Sequence, residues 1–146
     1  MATSDTLSVL EELLHVSKDG VDTFEKALAI TQDPELETAF RVAMESCIIA
    51  TEQLSKKIEE LGGSPTVRGT VPGAFHRAWI DAKSVLARDD DQALLQEVVR
   101  AEKAAVHHYD EAMTSTLSQD VRNLVVSQAA GAKANLRRFE GLAAMD

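Results

Sequence analysis

Six of the chain's ten glycines and prolines, Gly62, Gly63, Pro65, Gly69, Pro72 and Gly73, fall within residues 62–73. These residues are the strongest local breaks in regular structure, so the cluster marks one long loop. The stretches on either side are nearly uninterrupted, and no run of alternating β-branched residues within them supports a sheet. The chain therefore has to be read as long helices arranged around a single break.

The apolar spacing agrees. Leu7, Leu10, Leu14, Ser17, Val21, Phe24 and Leu28 recur every three or four residues and line one face of a first helix, with Ser4 or Asp5 available as its cap. Asp33-Pro34 then signals a new start, because Asp accepts from the free N–H groups of a helix N-terminus and Pro has no N–H to leave unpaired there. The second helix buries Leu36, Phe40, Ala43, Cys47, Ala50, Leu54, Ile58 and Leu61 and stops at Gly62-Gly63. Beyond the loop, Phe75, Ala78, Trp79, Ala82 and Leu86 define a shorter helix. Asp89-Asp90-Asp91 suits the positive end of the next helix dipole, and that helix carries Leu95, Val98, Glu102, Ala105, Tyr109 and Ala112 on one line. Ser118 is placed to cap the last helix, whose line reads Val121, Leu124 or Val125, Gln128, Ala132, Asn135, Phe139 and Leu142.

The expected long helices cover about 5–31, 34–61, 91–116 and 118–145, with the shorter one over about 73–87. Each long helix is roughly 26 to 28 residues, or about 40 Å. They form two hairpins with tight turns, joined by residues 62–90. A simple up-down bundle needs only a short central connection, whereas this one is long enough to travel the bundle's full length. The sequence predicts one all-α domain over 1–146, a four-helix bundle with a long crossover between helices 2 and 3, which is the ferritin-like arrangement.

Composition narrows the function classes. Hydrophobic residues make up 45% of the chain, charged residues 27% and aromatic residues 4%, and the formal net charge is -9. An acidic chain without a basic stripe is a poor match for a phosphate backbone, so no nucleic-acid partner is expected. No stretch approaches the roughly 18 apolar residues of a membrane span, and Met1-Ala2-Thr3-Ser4-Asp5 lacks the basic and apolar regions of a signal peptide. A cytoplasmic protein without a membrane partner is the expectation. Cys47 is the only cysteine, which excludes an internal disulfide and a cysteine-built zinc site.

Three stretches carry a resemblance: Leu61-Gly62-Gly63-Ser64-Pro65, Gly73-Ala74-Phe75-His76-Arg77-Ala78-Trp79-Ile80-Asp81, and Glu102-Lys103-Ala104-Ala105 ahead of Tyr109. With Lys18-Asp19-Gly20 and Asp33-Pro34-Glu35-Leu36, the chain resembles a bacterial family of ferritin-like four-helix-bundle proteins whose members are mostly conserved proteins of unknown function. The resemblance implies the same fold and a link to stress physiology; it implies no reaction.

Ferritin-like bundles that hold two metal ions use one Glu on each of two helices and a Glu-x-x-His pair on each of the others. Here Glu45 is followed three residues later by Ile48, Glu52 by Ser55 and Gln128 by Gly131. Glu11, Glu12 and Glu25 lie beside the apolar seam of helix 1 rather than on it. The pattern predicts no intact di-metal centre, no metal ligands and no cofactor.

Glu102 is the one acidic residue clearly on an apolar line, where it has to be paired, hydrogen-bonded or protonated. The register predicts a polar middle layer of Ser17, Glu102, Gln128 and Asn135, with Tyr109 two turns from Glu102. Such a layer fixes helix register or holds a small ligand or single metal ion. Cys47 reads as a small buried hydrophobe, and His107, His108 and Glu111 read as a solvated helix face. His76, Arg77 and Trp79 read as packing of the crossover or as a partner surface, with Asp81 one turn from Arg77. Leu13, Ala27, Ile48 and Ile49 lie beside or beyond the seams, where they thicken the core or form a homodimer face.

The sequence supports a non-enzymatic bundle acting through an unknown protein partner or as a scaffold. The alternatives are a metal protein with a degenerate di-iron site and a small-ligand binder at the polar layer.

Overall fold

A computed structural model describes residues 2–65 and 91–145. It contains four helices: α1 (Ala2–Ile30), α2 (Pro34–Glu60), α3 (Asp91–Ala112) and α4 (Gln119–Ala143). Among the described residues there is no strand, and no helix is long and apolar enough to cross a membrane. The predicted crossover helix over about 73–87, with His76, Arg77 and Trp79, lies outside the described residues.

Local chemistry sets the helix ends. Asp33 is the N-cap of α2, its carboxylate accepting from the Glu35 amide at 2.9 Å, with Pro34 in the first turn. At the other end Gly62 takes φ +87°. The Gly62 and Gly63 amides donate to the Glu59 and Ile58 carbonyls at 3.0 and 2.9 Å, a pair of bonds that satisfies the last carbonyls and needs the left-handed residue. Helix α3 ends earlier than the predicted residue 116. The Thr114 hydroxyl donates to the Glu111 carbonyl at 2.7 Å, and the Arg122 guanidinium binds the Met113 and Ser115 carbonyls at 3.2 and 2.8 Å, closing the turn. Ser118 is the N-cap residue of α4 but does not bond a helix amide; its hydroxyl donates to the Asp120 carboxylate at 2.7 Å instead.

One hydrogen bond fixes the topology. The Thr31 hydroxyl, just beyond α1, donates to Asp91 at the start of α3 at 2.9 Å. The start of α3 is therefore at the end of the bundle where α1 finishes and α2 begins, so α2 and α3 run in the same direction. The end of α2 and the start of α3 thus stand at opposite ends of the bundle, the relation that a crossover between helices 2 and 3 requires. At the opposite end Lys57 of α2 pairs with Asp120 of α4 at 3.1 Å.

Helices α1 and α2 pack extensively, as do α3 and α4, while the hairpins meet more sparsely along α1–α3 and α2–α4. The core divides in two. One cluster contains Phe24, Phe40 and Phe139 with Ala27, Leu36 and Val98, the ring centroids 5.6–6.1 Å apart. The other contains Leu10, Leu13, Leu14, Leu54, Ile58 and Val125, with Tyr109 at its edge. Leu13 and Ala27 are fully buried, which assigns them to the core; Ile48 and Ile49 are exposed.

Helix α1 buries a wider stripe than its principal apolar line indicates. Thr6, Leu13 and Ala27 are buried and Gly20 is half-buried, and these four positions recur every seventh residue. That second heptad line is the signal in the sequence that marks the extra burial.

Candidate functional site

Between the two core clusters the bundle is hollow. A cavity of about 610 Å³ is lined by residues from all four helices, among them Ser17, Thr23, Cys47, Glu102, Tyr109, Gln128 and Asn135. The five predicted polar-layer residues thus meet around one space. Its walls are otherwise small and apolar, with Gly20, Ala50, Ala101, Ala105, Gly131 and Ala132 prominent. Exposed Ser46, Ile49 and Gln53 of α2 and Ser127 and Gly131 of α4 set its mouth between those two helices.

Small residues keep this space open in two different ways. A Cβ on Gly20 would stand 2.5 Å from the Cys47 sulfur, so glycine there permits the close approach of α1 and α2. A Cβ on Gly131 would meet nothing within 4 Å, because Gly131 borders open space.

Glu102 is only 6% exposed. Among the described residues no side chain pairs with its carboxylate, and burial raises its pKa to about 7. The neighbouring phenol is tied down: Tyr109 donates to Gln128 Oε1 at 3.1 Å, and Gln128 Nε2 donates to Gln53 Oε1 at 2.9 Å. This relay runs from the cavity wall to the surface of α2. Burial pushes the Tyr109 phenol up to about 12; a hydrogen bond from Ser17 pulls the other way, while Cys47 and Glu102 add to the rise. The Cys47 thiol is likewise pushed up to about 12, by burial first and then by Glu102. Both groups are therefore neutral donors near pH 7.

Sequence reasoning missed Thr23 and Gln53, and it read His108, which also lines the cavity, as part of a solvated face. Thr23 is buried and lines the cavity, its hydroxyl oxygen without a hydrogen-bond partner among the described residues; it precedes Phe24, which occupies the apolar line. Gln53, the outer member of the relay, sits on an exposed position that its own spacing marks only as surface. His107 is exposed and faces Glu111 at 3.5 Å. The Nδ1 atom of His108 faces Glu12 at 3.5 Å without the alignment of a hydrogen bond.

Residues 5–115 match the model of a family described as a domain of unknown function, DUF2383. The chain belongs to this family. No curated protein matches the sequence. Among solved structures, the DUF2383 chain is similar to a two-domain protein from Anabaena variabilis containing DJ-1/ThiJ/PfpI-like and ferritin-like domains. The TM-score is 0.81 at 12% identity, over 99% of this chain and 37% of that one. The DUF2383 chain thus spans little more than a third of that protein. It is also similar to a ferritin-like, diiron-carboxylate protein from Bacillus anthracis, with a TM-score of 0.73 at 17% identity over 98% of both chains. These likenesses show a ferritin-like fold.

The donor set that the described residues supply at the centre of this DUF2383 bundle does not fit a di-iron pair. Glu102 shares its level with a hydroxyl, a thiol held neutral by burial, amides and small apolar residues. Among the described residues no three His, Cys, Asp or Glu side chains stand together as metal ligands. Hard cations need several oxygen donors, most of them carboxylates; Asp19 and Glu97 also line the cavity, but Glu102 is its one buried carboxylate among the described residues.

Proposed function

We propose that this DUF2383 protein is a non-enzymatic ligand-binding bundle that takes a small molecule into the cavity at Glu102. The observation that carries the reading is the pairing of a cavity of about 610 Å³ with a buried carboxylate that no described residue satisfies. Small-molecule sites commonly occupy about 300–1,000 Å³, with apolar walls and a few convergent polar groups. A carboxylate left alone in such a space is costly, and a ligand that supplies its partner removes that cost.

The test uses the apolar fluorophore N-phenyl-1-naphthylamine. Wild-type protein should give a saturable fluorescence rise at one probe per chain. Ala105→Phe and Gly131→Leu, which fill the cavity from α3 and α4, should suppress it while keeping the helical circular dichroism of wild type. A linear, unsaturable response, or equal binding by folded filled variants, overturns the reading.

The scaffold role is a second reading, supported by exposed Val42, Ile48 and Ile49 of α2 and Val126 of α4. Light scattering on the full chain should then report a dimer, and a monomer at all concentrations removes it.

A further inference from the structure

We infer that the cavity's ligand is a hydrophobic amine, its protonated nitrogen pairing with Glu102 and its apolar body filling the space walled by small residues. This rests on the cavity being a ligand site, and it specifies the charge and shape of what enters.

Charge around the cavity is one-sided. Besides Glu102, its ionisable lining comprises Asp19 from α1, Cys47 from α2, and Glu97, Arg100, His108 and Tyr109 from α3, with none from α4. Arg100 is bound to Glu97 at 2.8 Å and its side chain is 72% exposed, which places its charge at the rim. The Nδ1 atom of His108 faces Glu12 instead. Asp19 is half-exposed, its carboxyl raised by burial and lowered by nearby His15. Cys47 and Tyr109 are neutral near pH 7. Deep in the cavity, Glu102 is the charge without a counter-ion among the described residues, in a protein whose net charge of -9 draws cations toward it.

Each ligand class meets this site differently. An anion is repelled by Glu102. A neutral apolar molecule leaves the carboxylate unpaired. A bare dication needs several ligands close together, and although Asp19 and Glu97 also line the cavity, among the described residues no three ligating side chains stand together. An ammonium carries three N–H donors: the carboxylate accepts one, and the unpartnered Thr23 oxygen and the Ser17 hydroxyl lie on the same lining to accept others. The small apolar walls then bury the carbon frame.

Calorimetric titration of the full chain with three probes sharing one cage tests this: 1-adamantylamine, 1-adamantanol and adamantane-1-carboxylate. Wild type should bind the amine at one site, about tenfold or more tighter than the alcohol, with the carboxylate weakest. Because the ammonium pairs with ionised Glu102, amine affinity should rise about tenfold from about pH 6 to about pH 8, while alcohol affinity stays flat. Glu102→Gln should keep the alcohol affinity and lose the preference for the amine. If that variant fails to fold, the wild-type pH dependence carries the test. Equal binding of amine and alcohol, tightest binding of the carboxylate, or a preference that survives in folded Glu102→Gln overturns the amine assignment and leaves the ligand-site reading standing. Binding of none of the three, together with failure of the naphthylamine titration, overturns both.

Discussion

The phenylalanine end of the bundle and its middle are built from the same four helices on opposite principles. At the end, three rings from α1, α2 and α4 pack within about 6 Å of one another, Phe24 stacked on Phe139 and Phe40 tilted against both, and exclude space. In the middle, glycines and alanines hold the helices around a cavity containing a carboxylate with no partner among the described residues. The end supplies stability through burial, while the middle gives up packing and desolvates a charge. A sequence that tolerates this cost in one layer concentrates its hydrophobic contacts in the layers above and below.

The largest test of that contrast is Phe139→Ala. Removing a ring that touches both other phenylalanines should destabilise the protein by about 3–5 kcal/mol in urea unfolding, whereas Asn135→Ala, one turn away on the cavity wall, should cost less than about 1 kcal/mol. Equal losses would erase the distinction between the two layers.

Next in size is the pH dependence contributed by Glu102. Its folded pKa of about 7 is raised above the ordinary 4.5, so the folded state holds this proton more tightly than the unfolded chain. The contribution is fully favourable below about pH 4.5 and is lost as pH rises to about 7, a fall of about 3 kcal/mol. Glu102→Gln should flatten that slope, which urea midpoints across the range will read.

The smallest effects compare two glycines in the middle layer. Gly20→Ala pushes a methyl against the Cys47 sulfur and should cost about 1 kcal/mol; in a Cys47→Ala background the same change should become stabilising. Gly131→Ala faces open space and should stabilise by about 0.5–1 kcal/mol through helix propensity alone.

Much of the fold was legible in the sequence because its signals are local. Asp33-Pro34 and Gly62-Gly63 end helices by their own chemistry, and three-four spacing identifies the buried faces without reference to partners. Glu102 was legible for the same reason, since a carboxylate on an apolar line stands out by position. The early end of α3 was not, because it depends on Arg122 reaching back from the next helix. Nor was the size of the cavity: its volume is set by how far apart the hairpins stand, a distance no single helix encodes. The Tyr109–Gln128–Gln53 relay joins three helices, so its outer member was invisible in any one of them.

The shared direction of α2 and α3, fixed by the Thr31–Asp91 bond, bears on how the hollow layer forms. Each hairpin assembles from neighbouring chain across a tight turn, so its contacts close early and at little entropic cost. The cavity belongs to neither hairpin and comes into being only when the two dock. Its dimensions are therefore a property of a seam, and a small sliding of one hairpin against the other would widen or narrow it without breaking a helical hydrogen bond.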